Sequence, residues 1–387
     1  MRFYLRHNYK ALGRILDDAV ADGEVRAAEL TITTLCKQLE SELGSGDWAP
    51  AEEEAAEIMI DRAVAGYGRR FRALLDACPA AFGALTQLTM ETMENSGSDL
   101  RAILTTCTRL EKLSLDSCRP KFAAGLWRVR HARLREITIS LCHFVGVDLA
   151  WLPRLEHFVL FGWFWTTREP VSFGHVPRLT KVKLANNACN PGQRTPLKLS
   201  HILRNIAISH LHLNFDGADI WVQPEISRRL TDVFCNLRSL NICNVHRQCG
   251  LTWTMFLLQS AQHLQRLYID LVDHECAEQA ARKKVPWEVD AGFKHYSLVS
   301  VMILGFLSVD ETMMVEFILC LVETAVILEE ICISEDPNAY LCERCGCTEP
   351  QGESRFPQTD QDKDAFSKRI KEGRSTATFK MHIQSIK

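Results

Sequence analysis

The chain has 387 residues, of which 47% are hydrophobic and 24% charged, and its formal net charge is -3. This is the composition of an ordinary globular protein with a large core. The small net charge excludes a strong overall attraction to nucleic acid or anionic membranes. The sequence also lacks the uninterrupted apolar run of roughly 18 residues that a membrane span needs.

The first residues, MRFYLRHNYKALGRIL, alternate charged and apolar side chains and do not resemble a secretory signal. We therefore expect the protein in the cytoplasm or nucleus, with its fifteen cysteines as free thiols. Residues 1–80 are predicted to form an N-terminal cap of helices and a strand. Its helices are expected at 5–20 and 58–75, with a loop or insertion from the glycines at 44–46 to the glutamates at 52–54.

The pattern Leu-x-x-Leu-x-Leu, with other apolar residues substituting, recurs ten times over residues 81–334 at spacings of 21 to 34 residues. The leading residues are Leu85, Leu110, Leu134, Leu155, Leu179, Ile208, Leu237, Leu264, Leu298 and Leu328. An eleventh copy begins at Ala27. The last two apolar residues of each copy lie two apart, so they point to the same side of a short strand.

Ten such units in succession predict an α/β fold, a leucine-rich-repeat solenoid (horseshoe) with a concave parallel β-sheet and a helical or irregular convex side. Helix-like stretches at 99–104, 199–206 and 253–261 are expected on the convex side, the first with Asp99 as N-cap. The third residue after the last apolar position is expected to turn into the core. Cys118, Cys142, Asn187 and Val245 occupy this position.

Residues 335–387 are polar and predict a loose C-terminal tail with a possible capping strand at 376–383. The tail contains the cluster Cys342-x-x-Cys345-x-Cys347. Zinc requires four ligands, and no second cysteine or histidine pair follows at a suitable spacing. A structural zinc site and a redox pair stay open as interpretations, but we favour loop cysteines without metal.

No motif typical of phosphate binding, nucleophilic serine chemistry or zinc hydrolysis is present. The pairs Cys142–His143 and His274/Cys276 are expected by chance among so many cysteines and histidines. The sequence therefore predicts a protein that is not an enzyme and has no cofactor.

Two surfaces are candidates for partner binding. Phe161-Gly162-Trp163-Phe164-Trp165 places four aromatic residues at the end of a predicted strand, either packed beneath the next repeat or exposed as an anchor at the rim of the concave face. The outward positions of the strands mix both charge signs, which favours a protein partner over nucleic acid. The predicted partner-binding residues are Lys112, Asp116, Glu136, His157, Phe161, Trp163, Trp165, Lys181, Lys183, His212, Asn241, Arg266, Tyr268 and Asp270.

Short segments of the chain resemble plant F-box/leucine-rich-repeat proteins, particularly those of grasses. They include MRFYLRHNYKALGRILDDAV, TRLEKLSLDSC, FGHVPRLTKVKL, LTWTMFLLQSAQHLQRLYI and FKHYSLVSVMILGF. Proteins of this family combine an F-box, which binds the adaptor of a cullin-RING ubiquitin ligase, with repeats that select the substrate. The resemblance implies a substrate-recognition region.

The sequence begins where such an F-box would have ended, so the resemblance predicts adaptor binding only where an F-box is supplied upstream. We expect a protein partner on the concave face, and neither nucleic acid nor membrane. A small-ligand receptor and a truncated, non-functional family member are the alternatives.

Overall fold

A computed structural model describes the chain over these residues: 2–4, 9–34, 50–120, 126–163, 169–186, 196–217, 219–272, 285, 287–305, 311–335, 356–357, 359–372 and 379–385. The chain divides into two compact units, Met1–Leu179 and Thr180–Lys387, called unit 1 and unit 2 below. Each unit is an α/β stack of leucine-rich repeats built on its own run of parallel strands.

In the described part of unit 1 there are four helices: α1 (Tyr9–Ala21), α2 (Pro50–Ala77), α3 (Pro79–Gly83) and α4 (Gly97–Thr106). Its strands are β1 (Arg2–Tyr4), β2 (Ala28–Thr33), β3 (Leu85–Glu91), β4 (Glu94–Asn95), β5 (Lys112–Asp116), β6 (Arg119–Pro120), β7 (Leu126–Arg130), β8 (Glu136–Ser140), β9 (Gly146–Trp151), β10 (His157–Phe161) and β11 (Val171–His175). The main sheet is parallel in the order β1-β2-β3-β5-β8-β10.

Unit 2 contains seven parallel strands that are neighbours in chain order. They are β12 (Lys181–Ala185), β13 (His210–Asn214), β14 (Ser239–His246), β15 (Arg266–Val272), β16 (Ser300–Leu304), β17 (Glu330–Glu335) and β18 (Lys380–Ser385). The helices are α5 (Leu199–Ile202), α6 (Thr231–Phe234), α7 (Met255–Ser260), α8 (Glu311–Thr324) and α9 (Asp360–Glu372). None of the described helices in either unit is both long and apolar enough to span a membrane.

The three apolar positions of the repeats form the core of each unit. All thirty side chains at these positions in the ten predicted copies expose at most 6% of their surface. Full burial of one such side chain contributes about 1.5–3 kcal/mol before the entropy of ordering it is subtracted. The predicted fold class is confirmed, because the sequence pattern and the buried face of the strands coincide.

A left-handed residue follows many of the strands at the same position of the repeat. Thr92, Ser117, Leu141, Gly162 and Gly305 all have φ between 50° and 76°. This turn directs the backbone N–H towards the next strand: the Leu141 amide donates to the Phe161 carbonyl at 2.7 Å. After the first four of these residues, the next side chain is buried, as Met93, Cys118, Cys142 and Trp163.

Unit 1 has a second sheet that the sequence did not predict. Strands β7, β9 and β11 pair in parallel, in the order β11-β9-β7, on segments between the strands of the main sheet. They lie where a helical or irregular connection was expected. Trp127, Val147 and Phe173 are buried on one side of this sheet.

Two local predictions in unit 1 are wrong. Helix α4 begins at Gly97, and its N-cap is Ser96. Asp99 is the third residue of the helix, and its carboxylate accepts from the Ser96 amide at 2.8 Å to complete a capping box. Helix α2 begins at Pro50, so the acidic run at 52–54 is helical, whereas 44–47 lies outside the described residues.

Candidate partner-binding face

The side chains between the buried positions of each strand point away from the core and form what we call the open face of each unit. On β5, β8 and β10 the exposed and buried positions alternate residue by residue. In unit 2 the strands β12, β13 and β15 show the same alternation over their first four residues. Cross-strand pairing aligns these side chains in rows, which allows one partner to contact several strands.

In unit 1, the charged side chains in the first row of the open face lie close to one another. Lys112, Glu136 and His157 stand in register on β5, β8 and β10. The Lys112 Nζ lies 3.0 Å from Glu136 Oε2, and the His157 Nδ1 lies 3.6 Å from Glu136 Oε1. Asp116 and Phe161 belong to another row, with Ser140 between them, and both are half-buried.

The structure describes only part of the predicted aromatic rim. Trp163 exposes only 6% of its surface, which favours the packed interpretation at this position. It is the third residue after the last apolar residue of its repeat, the position that Cys118 and Cys142 occupy in the two preceding repeats. Those two residues are also buried, and the Cys118 amide lies 3.4 Å from Cys142 Sγ. Trp165 lies outside the described residues.

In unit 2, the second row of the open face brings four of the predicted residues together. Lys183, His212, Asn241 and Tyr268 stand in register on β12 to β15, and Met302 continues the row on β16. All but Met302 are half-buried. Lys181 and Arg266 are exposed in the first row, and Asp270 lies two residues beyond Tyr268 on the same face.

His212 has an unusual environment in this row. Burial and, to a smaller extent, the nearby ammonium of Lys183 lower the pKa of His212 to about 4. The imidazole is therefore neutral at physiological pH. Its Nε2 is buried and forms no hydrogen bond within the described part of the chain.

A buried thiol lies beside the same row. Cys243 faces the open side in register with Asn214, yet it exposes only 7% of its surface. Burial raises the pKa of Cys243 to about 12; the Asp270 carboxylate adds to the shift and the Lys183 ammonium opposes it. This thiol is protonated at physiological pH and is a poor nucleophile.

The described residues contain no group of three or more His, Cys, Asp or Glu side chains that could hold a metal ion. The predicted weak candidates Cys342, Cys345 and Cys347 lie outside them. Burial and the neighbouring Cys118 thiol raise the pKa of Cys142 well above its usual range, so its pairing with His143 does not supply a thiolate.

The sequence reasoning also missed a recess at the edge of unit 1. It has a volume of about 370 Å³ and is lined by Leu104, Thr108, Arg130, His131, Ala132 and Trp151. Trp151 exposes 39% of its surface there. The sequence did contain a signal for this surface, namely an alternating segment that ends in Trp151. The exposure of Trp151, however, depends on the second sheet, which the sequence did not predict.

The comparison with protein-family models supports the family resemblance. Residues 60–190 match the model described as "FBD-associated F-box protein At5g56370, LRR repeats". This part of the chain is therefore similar to the repeat region of that F-box-associated protein. Repeats of this family are typically non-catalytic. A search among curated proteins found no match.

Proposed function

We propose that the protein binds another protein through the open faces of its repeats, as the substrate-recognition part of a ubiquitin-ligase receptor would. The observation that carries the proposal is the row Lys183–His212–Asn241–Tyr268 in unit 2. It presents a cation, a neutral imidazole, an amide and an aromatic ring on four adjacent strands.

The chemistry of this row suits a partner protein. Partially buried aromatic and polar side chains are enriched at binding hot spots. The His212 ring is half-buried in the middle of this row, so a bound partner would cover its remaining exposed surface. The row of unit 1 is a weaker candidate, because Lys112 and His157 are already paired with Glu136.

The small-ligand alternative has less support. A receptor for a small molecule needs an enclosed pocket with converging polar groups. The recess of unit 1 lies on the side of the second sheet, away from the open face. Coupling to a cullin-RING ligase stays a prediction of the resemblance, and adaptor binding is expected only with an F-box.

Site-specific photo-crosslinking tests the proposal. A photoreactive phenylalanine analogue replaces Tyr268 in the full chain expressed in plant cells, and a matched variant carries it at the exposed Arg229. We expect a discrete cross-linked protein from the Tyr268 position only. The captured protein is then purified, and its affinity is measured for the wild type and for His212→Ala, with a loss of about tenfold expected.

Equal crosslinking from both positions would contradict the use of the open face. A captured protein whose abundance rises after proteasome inhibition would support the role in substrate recognition, and one that does not respond would contradict it.

A further inference from the structure

Unit 1 contains four short connecting segments, each leading into a strand, that carry arginine at one repeated position. The arginine comes immediately before the leading leucine in four successive repeats, as Arg109, Arg133, Arg154 and Arg178. All four side chains are exposed. We call these four residues the arginine edge.

The local structure explains why these side chains reach solvent. The amide of Leu155 donates to the Leu152 carbonyl at 3.1 Å, and the amide of Leu179 donates to the Val176 carbonyl at 3.1 Å. The arginine is thus the third residue of a four-residue turn, with proline before it at Pro153. Proline favours this turn because its fixed φ suits the second position.

The stacking of the repeats places the turns side by side. The Arg135 amide donates to the Glu111 carbonyl at 2.8 Å, and the Glu156 amide donates to the Arg135 carbonyl at 2.8 Å. These bonds join residues that lie two positions after Arg109, Arg133 and Arg154. Next to the fourth turn, the Leu152 amide donates to the His175 carbonyl at 2.9 Å. Neighbouring strands are about 4.8 Å apart, so four turns extend over about 14 Å. That distance matches four to five residues of an extended peptide, roughly.

The turn itself does not require arginine. In unit 2 the same turn is made with Asn236, where the Leu237 amide donates to Phe234, and with His263, where the Leu264 amide donates to Ala261. The other equivalent positions there are Ala207, Ser297 and Ile327. The arginines are therefore a property of unit 1 and not of the repeat.

Most of the positive charge at this edge is not neutralised by the chain. Within the described part of the protein, Arg133, Arg154 and Arg178 form no salt bridge, and Arg109 donates to the neutral carbonyl of Arg26 at 2.7 Å. Carboxylates near this edge include Glu111 and Glu156, and the Glu156 carboxylate also attracts Arg178. Glu156 is already paired with Arg135 at 2.8 Å.

The recess with mixed polar and apolar lining that was described above adjoins the arginine edge. Two of its lining residues, Thr108 and Ala132, directly precede Arg109 and Arg133 in the chain. Its wall includes the exposed ring of Trp151. Guanidinium groups bind carboxylates through paired hydrogen bonds, and an exposed indole covers an apolar side chain.

We infer that the arginine edge and this recess bind an acidic segment of a partner protein that carries one large apolar side chain. Four arginines in a row, beside a recess that can hold one side chain, fit an extended acidic peptide. The flanking carboxylates of Glu111 and Glu156 oppose a continuous phosphate backbone, which favours the peptide over nucleic acid. This surface is separate from the open face and does not depend on the function proposed for it.

Fluorescence anisotropy with the full chain tests the inference. The probe is a labelled glutamate peptide with one central phenylalanine, and an oligothymidylate of equal charge is the second probe. The test variant is Arg133→Gln/Arg154→Gln/Arg178→Gln. The matched control is Arg204→Gln/Arg228→Gln/Arg229→Gln, which removes three exposed charges from unit 2.

We expect the peptide to bind the wild type and the control equally and the test variant about tenfold more weakly, since each exposed ion pair contributes a modest factor. Trp151→Ala is expected to weaken this peptide about fivefold and to leave an all-glutamate peptide unchanged. Undetectable binding, or equal loss in the control, would overturn the inference. Tighter binding of the oligothymidylate, lost in the test variant, would overturn it in favour of nucleic acid.

Discussion

The Nε2 of His131 lies 3.0 Å from the main-chain oxygen of Cys107 in the preceding repeat. His295 repeats this arrangement in unit 2, with its Nε2 2.9 Å from the Ala261 oxygen. In both residues Nδ1 accepts from the amide of the leucine three positions on, at 3.1 Å. Each imidazole is therefore neutral, with its proton on Nε2, and joins two successive turns.

These two histidines make stability depend on pH. Burial lowers the pKa of His131 and of His295, partly opposed by the bond from each ring to a backbone carbonyl. The unfolded value is about 6.5. The stability that depends on the neutral rings is complete above that pH and is lost as the pH falls towards the folded pKa. His212, with its pKa lowered to about 4, adds to the same trend.

Replacing both residues, as His131→Asn/His295→Asn, is expected to lower the stability at pH 7.5 by about 1–3 kcal/mol per site, because buried backbone groups lose a partner. The variant should also lose less stability than the wild type between pH 7.5 and 5. Urea unfolding at both pH values measures this, with the exposed His263→Asn as control. An unchanged pH dependence in the double variant would contradict the assignment.

The glycines offer a graded test of the backbone. Gly97 has open space around an added Cβ, Gly250 has open space but φ of +70°, and Gly305 has φ of +76° with the Leu271 oxygen in the way. Alanine is expected to stabilise the protein by about 0.4–1 kcal/mol at Gly97. Alanine should lower the free energy of unfolding by about 1–3 kcal/mol at Gly250 and by more than about 3 kcal/mol at Gly305.

Thermal or urea unfolding of the three single variants measures the order of their stabilities. A variant at Gly305 that is as stable as the one at Gly250 would show that the Leu271 carbonyl shifts without cost.

The strands of the main sheet that lie in the repeats were predictable because each carries its own signal, whereas β1 (Arg2–Tyr4) carries none and was not predicted. The spacing Leu110/Leu113/Leu115 specifies a strand and its buried side without reference to any other segment. The second sheet of unit 1 was not predictable in the same way. Segment 126–130 alternates buried and exposed residues, but it has no leading leucine, and its pairing with β9 depends on the register of distant residues.

The candidate site was predicted only in part, for a related reason. Alternation along a strand identified the side chains of the open face, since it depends on local geometry alone. It did not indicate that Cys243 would be buried or that Glu136 would pair with both Lys112 and His157. These features arise from contacts between strands. The arginine edge was visible in the sequence as a repeated Arg-Leu pair. Only the turn geometry shows that the four arginine side chains are exposed along the same edge of unit 1.

Replacement of Trp163 tests the interpretation that its ring is packed beneath the next repeat. Because it exposes only 6% of its surface, Trp163→Ala is expected to lower the free energy of unfolding by about 3–5 kcal/mol. Trp151→Ala, at an exposed ring, should change it by less than about 1 kcal/mol. Urea unfolding followed by circular dichroism measures both. Similar stabilities for the two variants would contradict the burial of Trp163.

The cysteines predict a pattern of chemical reactivity. The structure describes nine free cysteines, and among these Cys235 is the one classed as exposed. Burial raises the pKa of Cys107 and of Cys243 to about 12, and the thiolate is the reactive form. Brief iodoacetamide treatment of the native protein at pH 7.5 should therefore modify Cys235 at least about a hundred times faster than Cys107 or Cys243.

Peptide mapping by mass spectrometry measures the three rates. In concentrated urea the three thiols should react at similar rates, which checks that protection comes from the fold. Rapid native labelling of Cys243, with Cys107 still protected, would show that the open face of unit 2 opens to solvent around His212. That outcome would contradict the burial on which the lowered pKa of His212 depends.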